Sequence, residues 1–160
     1  FTSSNHVRLL IPVQGLRMTV TAIVNGSAVP AGTGDMDGQD ASLQDILIIV
    51  HAPPYGSERC LSALRLALAL AGQDQYPPRL QVFLMSDATV LALPNQQDAS
   101  GQTLQKMVEE LSGLNVPVKL CRTCALARGL GDLPLIDGCC LGTLAELTEA
   151  TLQADKVITF

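Results

Sequence analysis

From residue 45 onward, short apolar runs alternate with longer stretches in which apolar residues recur at helical spacing. Ile46-Leu47-Ile48-Ile49-Val50 is an unbroken aliphatic and largely β-branched run, the pattern of a strand buried on both faces. His51-Ala52-Pro53-Pro54-Tyr55-Gly56 interrupts it, and Ser57 is suited to cap a helix over 58–71. In that helix Glu58, Arg59, Ser62 and Arg65 share one narrow face. Cys60, Leu61, Leu64, Leu66, Leu68 and Leu70 cover most of the rest. A helix apolar over so much of its circumference is predicted to be buried on two sides, against the sheet and against a second subunit.

Leu80-Gln81-Val82-Phe83-Leu84-Met85 reads as the second strand, ended by Ser86-Asp87-Ala88, and 94–101 as a loop. Leu104, Met107, Val108, Leu111 and Leu114 then follow the spacing of one buried helical face. Val116-Pro117-Val118-Lys119-Leu120 is the third strand. Residues 121–129 are helix-like and stop at Gly129. A short fourth strand is predicted within 133–140. Thr143-Leu144-Ala145-Glu146 fits a capping box that opens a helix to about residue 153, and 155–160 is the last strand. Strands alternating with helices imply parallel pairing and right-handed crossovers. The fold class is therefore α/β: a three-layer α/β/α sandwich with a mostly parallel sheet of about five strands. In such sheets reactive groups gather beyond the carboxyl ends of the strands. His51, Asp87 and Cys121 each follow a strand at that end.

Residues 1–44 differ from the core. Up to Gly34 they contain no Asp or Glu, and Pro12 and Gly15 interrupt their apolar runs. They read as an extension outside the core, poorly ordered as chain ends commonly are. Two arginines are few for a transit peptide, and Met18 or Met36 could each be a natural start. The whole chain of 160 residues is 48% hydrophobic and only 16% charged. So little charge suggests that some apolar surface is covered by other copies, as in a homo-oligomer. The formal net charge of −5 argues against nucleic acid and anionic membranes as partners, and no apolar run is long enough to span a bilayer. Five cysteines, an odd number clustered late in a core-rich chain, suit a reducing, cytoplasmic setting rather than a disulfide framework.

Candidate chemistry centres on Cys121-Arg122-Thr123-Cys124-Ala125-Leu126-Ala127-Arg128-Gly129. A thiol where a strand hands over to a helix meets unpaired backbone N–H groups, which favour the thiolate. Arg122 or Arg128 would add positive charge if directed at the sulfur. The alternative is a buried, inert cysteine. Cys121-x-x-Cys124 also permits a dithiol–disulfide couple with Cys124 resolving. A zinc site with Cys139 or Cys140 lacks a second Cys-x-x-Cys pair, and no metal or organic cofactor is assigned. His51 suits a proton shuttle or a solvated strand-end histidine. Asp87 suits a pocket wall or a helix cap. Cys60 belongs to the packing. No phosphate-binding glycine loop or Ser-His-Asp order is found.

Residues 45–160 resemble the DsrE/DsrF-like family, in particular its small YchN-type branch. The resemblance rests on Gly56-Ser57-Glu58 before an Ala- and Leu-rich helix, on Val82-Phe83-Leu84-Met85-Ser86-Asp87-Ala88, on Cys121 to Gly129, on Leu141-Gly142-Thr143-Leu144 and on Ala154-Asp155-Lys156-Val157, in that order. It implies a compact α/β domain that forms trimers or hexamers. It also implies intracellular sulfur relay, with sulfur carried as a cysteine persulfide from a donor protein to an acceptor. The family pattern Cys-x-x-x-Ala-x-x-Arg-Gly puts the relay cysteine at Cys121, with Ala125, Arg128 and Gly129 completing it. Cys124 is typical of the YchN-type branch and absent from several dedicated sulfur carriers. Two other functions remain open: a non-catalytic oligomeric module that binds a small ligand at the strand ends, and a Cys-x-x-Cys redox protein.

Overall fold

The computed structural model describes residues 43–75, 77–97 and 104–160. The expectation for residues 1–44 lies, but for its last two positions, outside the described residues, as does the second half of the loop 94–101. Five strands, β1 (Asp45–Val50), β2 (Arg79–Leu84), β3 (Val118–Cys121), β4 (Cys139–Gly142) and β5 (Lys156–Thr159), form one sheet in the order β4-β3-β2-β1-β5. Every pair is parallel. The helices are α1 (Arg59–Ala71), α2 (Leu104–Gly113), α3 (Arg122–Leu126) and α4 (Leu144–Gln153), with a 3-10 helix at Ser86–Ala92.

Side chains alternate across the sheet with period two. Ile46, Ile48, Val50, Val82, Leu84, Val118 and Leu120 point to one face, where Cys60, Ala63, Leu64 and Ala67 of α1 and Val108 and Leu111 of α2 bury them. Leu47, Phe83 and Cys121 point to the other, where Leu147 of α4 meets them. The result is the three-layer α/β sandwich, with unequal layers. Two helices of 13 and 10 residues cover the first face, and among the described residues α4 alone covers the second. Ile49 and Met85 are accordingly half-buried there, and Val157 is 43% exposed.

α4 is held at its first turn. Thr143 caps it with the reciprocal bonds of a capping box, and Glu146 reaches across to the Lys119 ammonium of β3 at 2.7 Å. One carboxylate thus serves both the helix start and the sheet. Gly142, opposite Cys121 in the β3–β4 register, sits where even a methyl group would press on its neighbours. A Cβ there would lie 3.0 Å from the Phe83 ring and 3.2 Å from the Lys119 Cβ.

The structure corrects several boundaries. The α1 cap position falls on Glu58, without a side-chain cap bond, so Ser57 is not the cap. Only one stripe of α1 is fully buried; Leu61, Leu66, Leu68 and Leu70 are half-buried. Leu114 is 47% exposed, because α2 ends at Gly113 and Asn115 turns the chain with φ 59°. The fourth strand begins at Cys139 and not within 133–138, since the Leu133-Pro134 segment ahead of it carries no pairing.

Two outcomes follow from this packing. Gly142→Ala should destabilise the fold by about 1–3 kcal/mol through overpacking against Phe83. Gly113→Ala, whose Cβ would meet nothing within 4 Å, should cost nothing; denaturant midpoints compare them. The Lys119 ammonium, together with the Thr143 backbone N–H and hydroxyl, holds the Glu146 carboxyl down at about 2 against an ordinary value of 4.5. A depressed folded-state value contributes stability that is present above pH 4.5 and is lost as pH falls through about 2. The stability difference between wild type and Glu146→Gln should therefore hold from pH 6 to about 4.5 and shrink from there toward pH 2. An equal difference at both ends would exclude this linkage.

Candidate functional site: the Cys121–Cys124 turn

Cys121 is the last residue of β3, an interior strand, and the cap residue of α3. The alternation that buries Val118 and Leu120 on the two-helix face sends Lys119 and Cys121 to the α4 face. There Cys121 packs with Leu47, Phe83 and Leu147 and is 7% exposed. Its Sγ accepts the backbone N–H of Cys124 at 3.4 Å. Burial, and then the neighbouring Cys124 thiol, push the Cys121 thiol above its usual range. The backbone N–H groups of Cys124 and Thr123 act in the opposite direction and do not prevail. The expectation of an easily ionised thiol is therefore corrected. α3 has five residues, too few for a substantial helix dipole, and desolvation outweighs its N–H groups.

Beyond α3 the chain turns at Gly129, with φ 68°. Arg128 folds back over the helix. Its Nε and Nη2 both donate to Asp87 Oδ1, at 3.0 and 2.8 Å, and its Nη1 donates to the Cys124 carbonyl at 3.1 Å. Asp87 lies in the first turn of the 3-10 helix, whose cap position is Met85, so Asp87 is an ion-pair partner and not a cap. The residue before it, Ser86, has φ 49°, a left-handed conformation that is uncommon outside glycine.

Of the residues singled out from the sequence, the fold thus joins Cys121, Cys124, Asp87 and Arg128. Arg122 follows the thiol directly, is exposed, and has no side-chain partner among the described residues. His51 stands apart. It follows β1, two strands from β3; its backbone N–H bonds the Phe160 carbonyl at 2.9 Å, and its side chain bonds none of the described residues. The Lys119–Glu146 pair and the left-handed Ser86 escaped the sequence reading. Lys119 carried a signal, since a charge in an apolar strand two positions before Cys121 must share its face.

The other cysteines differ in kind. All five are free thiols. Cys60 is buried on α1, donates to the Ala52 carbonyl at 3.1 Å, and is pushed up to about 11 by burial. Burial, with Cys140 beside it, pushes Cys139 to about 12. Cys140 is exposed. Among the described residues, no three His, Cys, Asp or Glu side chains converge as a metal ion would need. None of their helices is long and apolar enough to cross a membrane. A cleft of about 320 Å³ lies between α4 and the amino-terminal halves of β1–β3, where Arg79 pairs with Asp45 and Lys119 with Glu146. A second, of about 480 Å³, lies between α2 and residues 135–137. Neither is lined by Cys121 or Cys124.

This arrangement has relatives. The model of the DsrE/DsrF-like family matches residues 44–160. Protein YchN of Escherichia coli is 50% identical over 118 residues, covering 74% of this chain and 100% of its own. An uncharacterized protein of Methanocaldococcus jannaschii is 32% identical over 115 residues, 71% of this chain and 96% of its own. The crystal structure of the E. coli ychN protein superposes with a TM-score of 0.70 at 50% identity over the same shares of the two chains. The described sheet, the Cys121 turn that ends β3 and these matches together establish that the chain belongs to the DsrE/DsrF-like family.

Proposed function

We propose that this protein is a sulfur-relay carrier that holds sulfur as a persulfide on Cys121. The observation that carries the reading is the seat of the thiol: the end of an interior strand, the Cys124 backbone N–H on the sulfur, and a second thiol one helical turn away. Family membership adds the relay context. In the loading step the Cys121 thiolate attacks the outer sulfur of a donor persulfide R–S–SH. The donor's S–S bond breaks, a new S–S bond forms on Cys121, and R–S⁻ leaves. In the unloading step an acceptor thiolate attacks that outer sulfur and Cys121 departs as thiolate. Sulfur moves twice, and no net oxidant is consumed. Arg122, adjacent and without a side-chain partner among the described residues, is available to the anionic persulfide or to an acidic partner surface.

Neither of the two described clefts is lined by Cys121 or Cys124, so neither favours an enclosed small molecule over a protein partner at the thiol. Exposed Leu126, Leu144 and Val157, with the thin α4 layer, support self-association into a trimer or hexamer that covers part of this face. A second reading, a Cys121–Cys124 dithiol couple, draws on the contact between the two thiols. It requires a disulfide R–S–S–R as oxidant, which is released as two thiols.

Intact-protein mass spectrometry after incubation with a persulfide donor tests these readings on wild type and Cys121→Ser. The carrier reading expects a gain of one sulfur, about 32 Da, on wild type alone. A loss of two hydrogens, reversed by reductant, would favour the dithiol couple. No change in either protein with its thiols shown free would end the carrier reading in favour of a ligand-binding module.

A further inference from the structure

We infer that Asp87 and Arg128 are positioning residues for Cys121, holding the Cys124 backbone so that its N–H stays directed at the Cys121 sulfur. The inference rests on Cys121 being the working thiol, but its test reads that thiol directly and not sulfur loading.

α3 is too short to hold its own geometry. Five residues fall well below the length at which a helix persists by itself. Its last turn also tightens: the backbone N–H of Arg128 bonds the Ala125 carbonyl at 3.0 Å, three residues back. In a regular α-helix that N–H would bond the carbonyl of Cys124. The Cys124 carbonyl thus loses its usual partner, and the Arg128 side chain replaces it through Nη1 at 3.1 Å. Cys124 is consequently held at both ends, its C=O by Arg128 and its N–H by Cys121 Sγ at 3.4 Å.

The guanidinium is itself anchored. Its other two nitrogens share Asp87 Oδ1, on an element that follows a different strand, β2. Asp87 is presented by the left-handed backbone of Ser86. A conformation of that kind costs a non-glycine residue stability and persists where surrounding structure imposes it. The result is a chain of contacts from the end of β2 to the sulfur at the end of β3: Asp87, Arg128, Cys124 and Cys121. The ion pair is partly exposed, with side-chain exposures of 32% for Arg128 and 60% for Asp87. Pairs so exposed add little to global stability, so variants at these positions are suited to testing the thiol and not the fold.

The test is the pH–rate profile of iodoacetamide alkylation at Cys121, followed by peptide mass so that the other four cysteines do not interfere. Wild type is compared with Arg128→Gln, Arg128→Lys and Asp87→Asn. Arg122 and Cys124 on α3, Lys119 on β3, Cys139 and Cys140 on β4 and Glu146 and Glu149 on α4 remain in every variant. Arg128→Gln should move the alkylation midpoint upward by about half to one pH unit and slow the reaction about three- to tenfold at neutral pH. The limiting rate at high pH should be retained. Asp87→Asn should move the midpoint the same way by less. Arg128→Lys should fall between Gln and wild type, because an ammonium cannot span Asp87 and the Cys124 carbonyl as a guanidinium does. An unmoved midpoint in folded Arg128→Gln overturns the proposal. Should that variant fail to fold, Asp87→Asn decides by the same criterion. If wild type never gains sulfur, the carrier reading fails and the alkylation result still stands.

Discussion

Strand β3 has to satisfy two faces at once, and the rest of the structure is arranged around that. Val118 and Leu120 are fully buried under the α1 and α2 layer. That fixes Lys119 and Cys121 on the opposite face, because a strand slipped by one residue would reverse all four. The Cys121 position is therefore set by the hydrophobic core and not by any bond of its own. Two further features depend on it. Lys119 takes the α4 helix through Glu146, and Gly142 on β4 lies tight against Phe83 and Lys119, which a side chain there would have to displace.

The same face explains why the thiol is chemically guarded. α4 and the Phe83 ring shield Cys121 enough that desolvation dominates its ionisation. Two backbone N–H groups partly offset this, and they come from a turn of five residues that relies on Arg128 and Asp87 for support. Burial sets the resting state of the thiol; the turn sets how much of the thiolate can be recovered.

Much of this was legible in the sequence, and the limits are physical. The β-branched run 46–50 permits little but a buried strand, and the capping box at Thr143 is present as read. The placing of Cys121 at a strand-to-helix junction also came from local pattern alone. The 3-10 helix after β2 did not, because Ala88-Thr89-Val90-Leu91-Ala92 carries no period that separates it from a loop or a strand. β4 was read too early because the Cys-Cys-Leu-Gly run lacks β-branched residues, and what orders it is pairing with β3. The ionisation of Cys121 was misread for a related reason. Burial is a tertiary quantity, while the helix start that argues the other way is local. The pairing of Asp87 with Arg128, 41 residues apart, could be recovered only once β2 and β3 were known to be neighbours.

On the carrier reading, a thiol held above its usual range has opposite consequences for the two half-reactions. Once ionised it is a stronger nucleophile, since intrinsic nucleophilicity rises with thiol pKa, so loading from a donor persulfide is favoured per thiolate. As a leaving group it is poorer, so unloading is the step that needs help. That help has to stabilise charge on Sγ at the moment the acceptor takes the outer sulfur. The backbone N–H of Cys124 is the donor already placed there, and that of Thr123 acts in the same direction. Their contribution grows with the negative charge on the sulfur, so they act more on the departing thiolate than on the resting thiol. A burial-raised thiol with fixed N–H donors would in this way suit a residue that must both accept sulfur and release it.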